Sequence, residues 1–320
     1  MAWVGADVGP MRKNCSPVPQ VASLLWRGWK LTLRGEPVIL QGGEDNLNLH
    51  VVTDRGDFVL RRYDLCMHWR AGHELALVSS LASRGFPTPE PIARRQGGRL
   101  GTWHGRPVAV FAYIAGEVPK SYDSDLAVRI GSLLGRLHVL TAGLRVPLRS
   151  ESDPAELRRA LTRSYRGLKS VGDWRQTVRV FLAREGNWLS RSWRALPRGV
   201  VHHDLHRLNL LVNRQTKSCT VLDFGEARIA PLIVDIARVF HYIAAESPGR
   251  RLPGALREAV LQGYEQERRL SDDETEALAR YFALVSLADA ARFLKAPPDG
   301  IASTEDCRSL AVYRANQSAG

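Results

Sequence analysis

Three oxygen-bearing side chains stand at spacings that suit one kind of chemistry. Within residues 200–237, written VVHHDLHRLNLLVNRQTKSCTVLDFGEARIAPLIVDIA, Asp204 follows His202-His203, and Asn209 comes after four intervening residues. Asp223-Phe224-Gly225 stands fourteen positions beyond Asn209, behind the apolar pair Val221-Leu222. A phosphoryl group in transfer carries dense negative charge, and a hard Mg²⁺ ion bridging its oxygens takes oxygen ligands. Asn209 and Asp223 supply such ligands. Asp204 can accept the proton of an attacking hydroxyl and hold that hydroxyl in line. Either motif alone reads equally well as a polar loop or a turn. The pair, in this order and spacing, is a specific signal.

Local elements must hold these groups. Leu210–Asn213, a polar turn and Thr220–Leu222 predict a short hairpin, with Asn209 before its first strand and Asp223 after its second. Upstream, the runs Val38–Gln41, Asn48–Thr53 and Phe58–Tyr63, the last two joined by the turn Asp54–Asp57, predict a β-meander. Apolar positions Leu75, Leu77, Val78 and Leu81 predict a helix over Trp69–Ser83, broken by Gly85, Pro87, Pro89 and Pro91. A hairpin-like stretch through Gly97, Gly98 and Gly105 leads into a strand at Pro107–Ile114. After Gly116 the pattern turns helical. Asp123 or Asp125 caps a helix carrying Leu126, Ile130, Leu134 and Leu137; Asp153-Pro154 opens another; Ser271-Asp272-Asp273-Glu274 is a capping box for a helix to about Leu294. The expected class is α+β, with a strand-rich first third and a helix-rich remainder. The expected domains are a mobile segment 1–20, a first lobe 21–115, a second lobe 116–297 and a tail 298–320 without clear signal.

The stretch His202-His203-Asp204-Leu205-His206-Arg207-Leu208-Asn209, with Asp223-Phe224-Gly225-Glu226-Ala227 and Asp235-Ile236-Ala237, resembles the aminoglycoside phosphotransferase and choline kinase family, which includes a bacterial type of homoserine kinase. The likeness runs over roughly residues 36–295. It implies a two-lobed protein-kinase-like fold, a small antiparallel sheet followed by a larger helical lobe. It implies ATP, or another nucleoside triphosphate, and Mg²⁺ as cofactors, with Asp204 as base and Asn209 and Asp223 on the metal. The Gly-containing segment with Gly42, Gly43 and Asn46 would cover the phosphates, although alone it reads equally as a plain hairpin. Arg61 stands where protein kinases carry a lysine, and Arg62 should point to the opposite face. Glu74 is the expected acid partner of that cation; as a lone residue it would be a solvated helix position. Ala112-Tyr113-Ile114 would be the hinge that meets the adenine, and Val110 and Phe111 read equally as core. His206 either arranges the loop or metal or makes a structural hydrogen bond. Only eleven residues separate Asp223 from Asp235, no A-P-E follows, and His203 replaces the Arg of H-R-D. Those departures favour a small acceptor over a protein substrate.

Composition narrows the rest. The 320 residues carry a formal charge of +12, but the arginines are spread along the chain and no nucleic-acid-binding signature is present, so nucleic acid is not expected. No apolar run is long enough to span a bilayer, and the N-terminus lacks a secretory pattern; a cytoplasmic protein without membrane partners is expected. Cys15, Cys66, Cys219 and Cys307 are scattered, with no C-x-x-C pair for zinc. Residues 121–199 hold fifteen Arg and Lys against seven Asp and Glu, a poor setting for a polycation. The expected acceptor is therefore a small-molecule alcohol that is not strongly cationic, on a natural-product antibiotic (an antibiotic-resistance role) or an amino-alcohol such as homoserine. Trp174, Trp188 and Trp193 either wall its pocket or anchor helices, and Glu246, Glu265, Glu267 and Asp289 are acids that could meet an amine. A nucleotide-binding module without catalysis and a compact Ser/Thr protein kinase are the competing readings.

Overall fold

Strand alternation decides what each face of the first sheet presents. In β2 (Asn46–Thr53) and β3 (Gly56–Tyr63) the chain reverses at Asp54-Arg55, and Thr53 pairs with Gly56, whose φ of 108° suits a residue without Cβ. Leu60 joins an apolar cluster on one face, while Val59 joins a different cluster, so Arg61, two residues on, shares the face of Val59. β1 (Val38–Ile39), β4 (Gly101–Trp103) and β5 (Arg106–Ala112) complete an antiparallel sheet of order β1-β2-β3-β5-β4.

The structure is a computed structural model that describes residues 18–40, 46–64, 68–148, 174–293 and 307–317. Two compact units divide the chain. The first comprises residues through Lys120, Leu144–Pro147 and Arg207–Glu226; the second comprises Ser121–Gly143, Leu148–His206 and Ala227 onward. The hairpin β7 (Leu210–Val212) with β8 (Cys219–Val221), expected within a 116–297 lobe, thus packs with the first unit. Its Leu211 and the following Leu222 bury against Leu40 and Val59.

Helix α1 (Val18–Trp29) begins inside the segment expected to be mobile. Its Val21, Leu25 and Trp29 recur at helical spacing and bury with Leu49, Val51, Leu60, Val108 and Val110, which outweighs the local Pro content. Residues 1–17 and the Asp153-Pro154 helix start lie outside the described residues. Helix α2 (His68–Ser83) falls where the pattern placed it.

In the second unit the described elements are α3 (Ser124–Leu140), α4 (Trp174–Ala195), β6 (Arg198–Val201), β9 (Arg228–Pro231), α5 (Ile233–Glu246), α6 (Gly254–Glu267), α7 (Asp272–Phe293) and α8 (Arg308–Ala315). β6 and β9 pair antiparallel. Asp123, not Asp125, caps α3 by accepting the Leu126 N–H at 2.8 Å, and Asp125 instead pairs with Arg129 at 2.9 Å. The capping box opens α7 as expected: Glu274 N–H donates to Ser271 Oγ at 3.2 Å, and Ser271 N–H donates to Glu274 Oε2 at 3.0 Å. Helix α8 lies in the tail that carried no sequence signal; eight residues are too few for periodicity, and burial of Leu310, Val312 and Tyr313 fixes it. Trp174, Trp188 and Trp193 pack as anchors between elements. Trp174 is fully buried, Trp193 stacks on Tyr281 at 6.0 Å, and Arg280 lies 4.3 Å over the Trp188 ring.

Helices α3 and α6 meet through glycines. A Cβ at Gly131 would lie 2.0 Å from the Val260 carbonyl oxygen, and one at Gly263 would lie 1.9 Å from that of Val128. Neither gap admits a methyl group, so Gly131→Ala should force the backbones apart and cost on the order of 2–3 kcal/mol. Urea denaturation of the variant is expected to show a lower midpoint; an unchanged midpoint would contradict this crossing.

Candidate active site

A buried carboxylate shapes the loop that carries Asp204. β6 runs straight into His202-His203-Asp204, and α5 presents Asp235 in its first turn. Asp235 is almost wholly buried and accepts two backbone donors, the His202 N–H on Oδ2 and the His203 N–H on Oδ1, both at 2.7 Å. Between them the chain takes φ 68° at His203, a left-handed conformation that costs a non-glycine residue about 1 kcal/mol or more. The two hydrogen bonds hold it there. His138 on α3 brings Nε2 to 3.2 Å from Asp235 Oδ2 and Nδ1 to 2.8 Å from the Tyr264 hydroxyl, which in turn accepts from Arg268 at 3.0 Å. Burial opposes the Asp235 charge, but His138, His202 and the loop amide hold its pKa below the ordinary value.

Asp204 follows, with about a third of its side chain exposed. The Tyr242 hydroxyl on α5 donates to its Oδ1 at 2.5 Å, and His206 Nε2 lies 3.6 Å from Oδ2. Burial alone would raise this carboxyl; His206, Tyr242 and His202 together hold it well below the usual carboxylate range. Asp204 is therefore ionised at neutral pH and able to accept a proton only as one is released in a reaction. Tyr242 was not among the sequence candidates. Its only sequence signal is its place seven residues after Asp235, on the same face of a helix.

In the first unit the structure brings Arg61, Glu74 and Asp223 together. Arg61 is buried on β3, with Nη1 at 3.1 Å from Glu74 Oε1 and 3.9 Å from Asp223 Oδ1, and with Nε donating to Asn48 Oδ1 at 3.1 Å. Its guanidinium also lies 5.4 Å over the Phe111 ring. Asp223 and Glu74 hold Arg61 charged despite its burial. Burial pushes Glu74 up to about 7, with Arg61 opposing and the nearby Asp223 charge adding to the rise. Arg62 points to the other face, as alternation requires, pairing with Asp64 at 2.6 Å. Asn48 joins this cluster without having been singled out from the sequence.

The hairpin fixes Asn209 and Asp223 relative to each other in the backbone. Leu222 N–H donates to the Asn209 carbonyl at 2.9 Å, so Asp223 is the next residue beyond the ladder. Asp223 takes φ 60°, and its Oδ1 accepts the Gly225 N–H at 3.2 Å. About a third of its side chain is exposed, whereas Asn209 is buried. Among the described residues no group of three or more His, Cys, Asp or Glu gathers to hold a metal ion. One accessible carboxylate and one amide oxygen nevertheless fit Mg²⁺, which commonly takes one or two protein oxygens and completes its shell with phosphate and water.

The remaining expected positions are distributed as follows. Gly42 and Gly43 lie outside the described residues, and Asn46 opens β2 opposite Tyr63. At the expected hinge the Ala112 N–H donates to Glu90 O at 2.9 Å and the Tyr113 N–H to Asp57 O at 3.2 Å. Tyr113 and Ile114 pack beside Leu40, Val59, Leu211 and Leu222. Val110 and Phe111 are core. Of the later acids, Asp289 is taken up by Ser309 at 2.6 Å and His241 at 3.3 Å, and Glu267 accepts from Ser132 at 2.9 Å; Glu246 and Glu265 are exposed. Cys219 and Cys307 are buried and form no disulfide with each other. No helix among the described residues is long and apolar enough to cross a membrane.

Known proteins resemble this chain in sequence and in fold. The family described as "Phosphotransferase enzyme family" matches residues 38–279. A homoserine kinase of Beijerinckia indica subsp. indica is 29% identical over 288 residues, covering 85% of this chain and 86% of that protein. A homoserine kinase of Rhodopseudomonas palustris is 31% identical over 272 residues, covering 79% and 75%. Among solved structures, an amicoumacin kinase in complex with AMP-PNP and Ca²⁺ aligns with a TM-score of 0.70 at 17% identity, covering 93% of this chain and 92% of that one. That likeness bears out the expected α+β, protein-kinase-like fold. The family match spans both the sheet that carries Arg61 and the segment that carries Asp204, Asn209 and Asp223, and the chain belongs to the phosphotransferase enzyme family.

Proposed function

We propose that this chain transfers the γ-phosphoryl group of ATP, with Mg²⁺, to a hydroxyl of a small amino-alcohol, with homoserine as the leading acceptor. The observation that carries the reading is Asp204: a carboxylate kept ionised in a half-buried position, on a loop whose backbone a buried carboxylate fixes. The acceptor oxygen attacks the γ-phosphorus as the bond to the β,γ-bridging oxygen breaks. The hydroxyl proton passes to Asp204, and ADP leaves. When bound, Mg²⁺ neutralises charge developing on the phosphate oxygens; Asn209 and Asp223 would hold it. Arg61 supplies a fixed cation for the phosphates, oriented by Glu74 and Asn48. A guanidinium keeps the charge of the lysine common at this position and adds a second direction of hydrogen bonding. Ile114 is the hinge residue favoured to meet the adenine, because the amides of Ala112 and Tyr113 are committed to protein carbonyls. Leu40, Val59, Leu211 and Leu222 would flank the base.

The relatives named homoserine kinase support an amino-alcohol acceptor, since the chain matches most of their length. The excess of basic over acidic residues in 121–199 supports an acceptor without strong positive charge, which a zwitterion satisfies. A second reading, a hydroxyl on an antibiotic, draws on the amicoumacin kinase neighbour and on the same charge balance.

In a coupled assay of ADP release, L-homoserine is expected to stimulate ATP turnover, and mass spectrometry should find the acceptor heavier by one phosphoryl group. Stimulation by an amicoumacin-type alcohol alone would favour the second reading, and silence with every alcohol would defeat both. Asp204→Ala should lower transfer by about 10²–10⁴-fold while MgATP still raises the thermal midpoint; near-normal turnover would remove Asp204 from the chemistry. Arg61→Ala should raise the MgATP KM by about tenfold or more, the equivalent of one lost ionic contact of ~1.4 kcal/mol, and Arg61→Lys should recover part of it. An Arg61→Ala enzyme with an ordinary KM would show that the phosphates do not meet this cation.

A further inference from the structure

Helix α5 holds the Asp204 loop at two points. Asp235 grips the backbone at His202 and His203, and Tyr242, seven residues and two turns later on the same face, reaches the Asp204 carboxylate itself. We infer that Tyr242 is the positioning residue of the base: its hydroxyl fixes the orientation of the Asp204 carboxylate toward the acceptor hydroxyl. The inference rests on Asp204 being the base.

The geometry constrains the role. The 2.5 Å contact to Oδ1 is that of a hydroxyl donating to an ionised carboxylate. Burial and the neighbouring Asp204 charge raise the phenol well above its ordinary pKa, Arg238 opposing, so Tyr242 remains a donor and is no reservoir for the acceptor's proton. Each carboxylate oxygen offers two lone pairs, so a donor on Oδ1 leaves capacity for the acceptor hydroxyl. The Tyr242 ring lies edge-on to His206 at 5.1 Å, and that packing survives replacement by phenylalanine. A donor to the base lowers its basicity. The gain must then come from orientation, for which a displacement of about 1 Å can cost on the order of 10²-fold in rate.

The test is a double-mutant cycle of Tyr242→Phe and Asp204→Asn in the full-length chain. Transfer from radiolabelled ATP is followed to L-homoserine, or to water as acceptor if homoserine is not phosphorylated. Tyr242→Phe alone should lower kcat about 10- to 100-fold, leave the MgATP KM within about twofold and leave the thermal midpoint in place. In the Asp204→Asn background the same change should have no further effect, because the group it acts through is gone. An unaltered kcat in Tyr242→Phe, or an equal loss in both backgrounds, overturns the inference while leaving Asp204 as base. Full activity in Asp204→Asn overturns the base assignment and with it the role of Tyr242.

Discussion

The carboxylate of Asp235 is the constraint on which the Asp204 loop depends. A buried charge in a protein interior is costly unless it is hydrogen-bonded and paired. Here the compensation comes from two loop amides at 2.7 Å and from the His138 ring of α3 at 3.2 Å. Without the carboxylate His203 would lose the contact that holds its left-handed conformation, and without the loop Asp235 would keep His138 but lose both amide donors. Arg268, Tyr264 and His138 extend this chain of donors and acceptors to α6 and α3, whose glycine crossing allows the close approach. The stiffness of the Asp204 loop therefore derives from helix packing well away from it in sequence.

The first unit solves a different electrostatic problem. Two carboxylates, Glu74 and Asp223, stand near one guanidinium, and Glu74 has little access to water. Burial pushes the Glu74 carboxyl up, with Arg61 opposing, while the Asp223 side chain keeps access to solvent. The two differ in exposure: Glu74 has 6% of its side chain exposed and Asp223 has 32%. Asn48 adds a neutral acceptor that fixes the guanidinium plane without adding a third negative charge.

Much of this was legible in the sequence because it is local. Alternation over Asn48–Thr53 and Phe58–Tyr63 fixed the sheet, the face of Arg61 and its separation from Arg62. The Ser271/Glu274 box opened its helix where expected, since a capping box is an interaction among four consecutive residues. Asp204, Asn209 and Asp223 stood out by spacing as candidates for the site, and Glu74 proved to be the partner of Arg61. Long-range relations were not legible. Nothing in the local pattern joins Tyr242 to Asp204 or His138 to Asp235, because only the packing of α5 and α3 creates those contacts. Helix α1 was obscured by the Pro- and Gly-rich residues before it, although Val21, Leu25 and Trp29 carried the period. The later acids illustrate the converse: Asp289 looks like a ligand for an amine in sequence, yet its neighbours Ser309 and His241 consume it.

Phosphoryl transfer as proposed requires Asn209 and Asp223 to present oxygen atoms to a divalent ion that also holds a triphosphate. A crystal structure of the protein with Mg²⁺ and AMP-PNP tests it most directly. The ion is expected at about 2.0–2.1 Å from the Asn209 and Asp223 side-chain oxygens, in octahedral coordination completed by phosphate and water. A nucleotide bound with its metal touching neither residue would contradict this assignment.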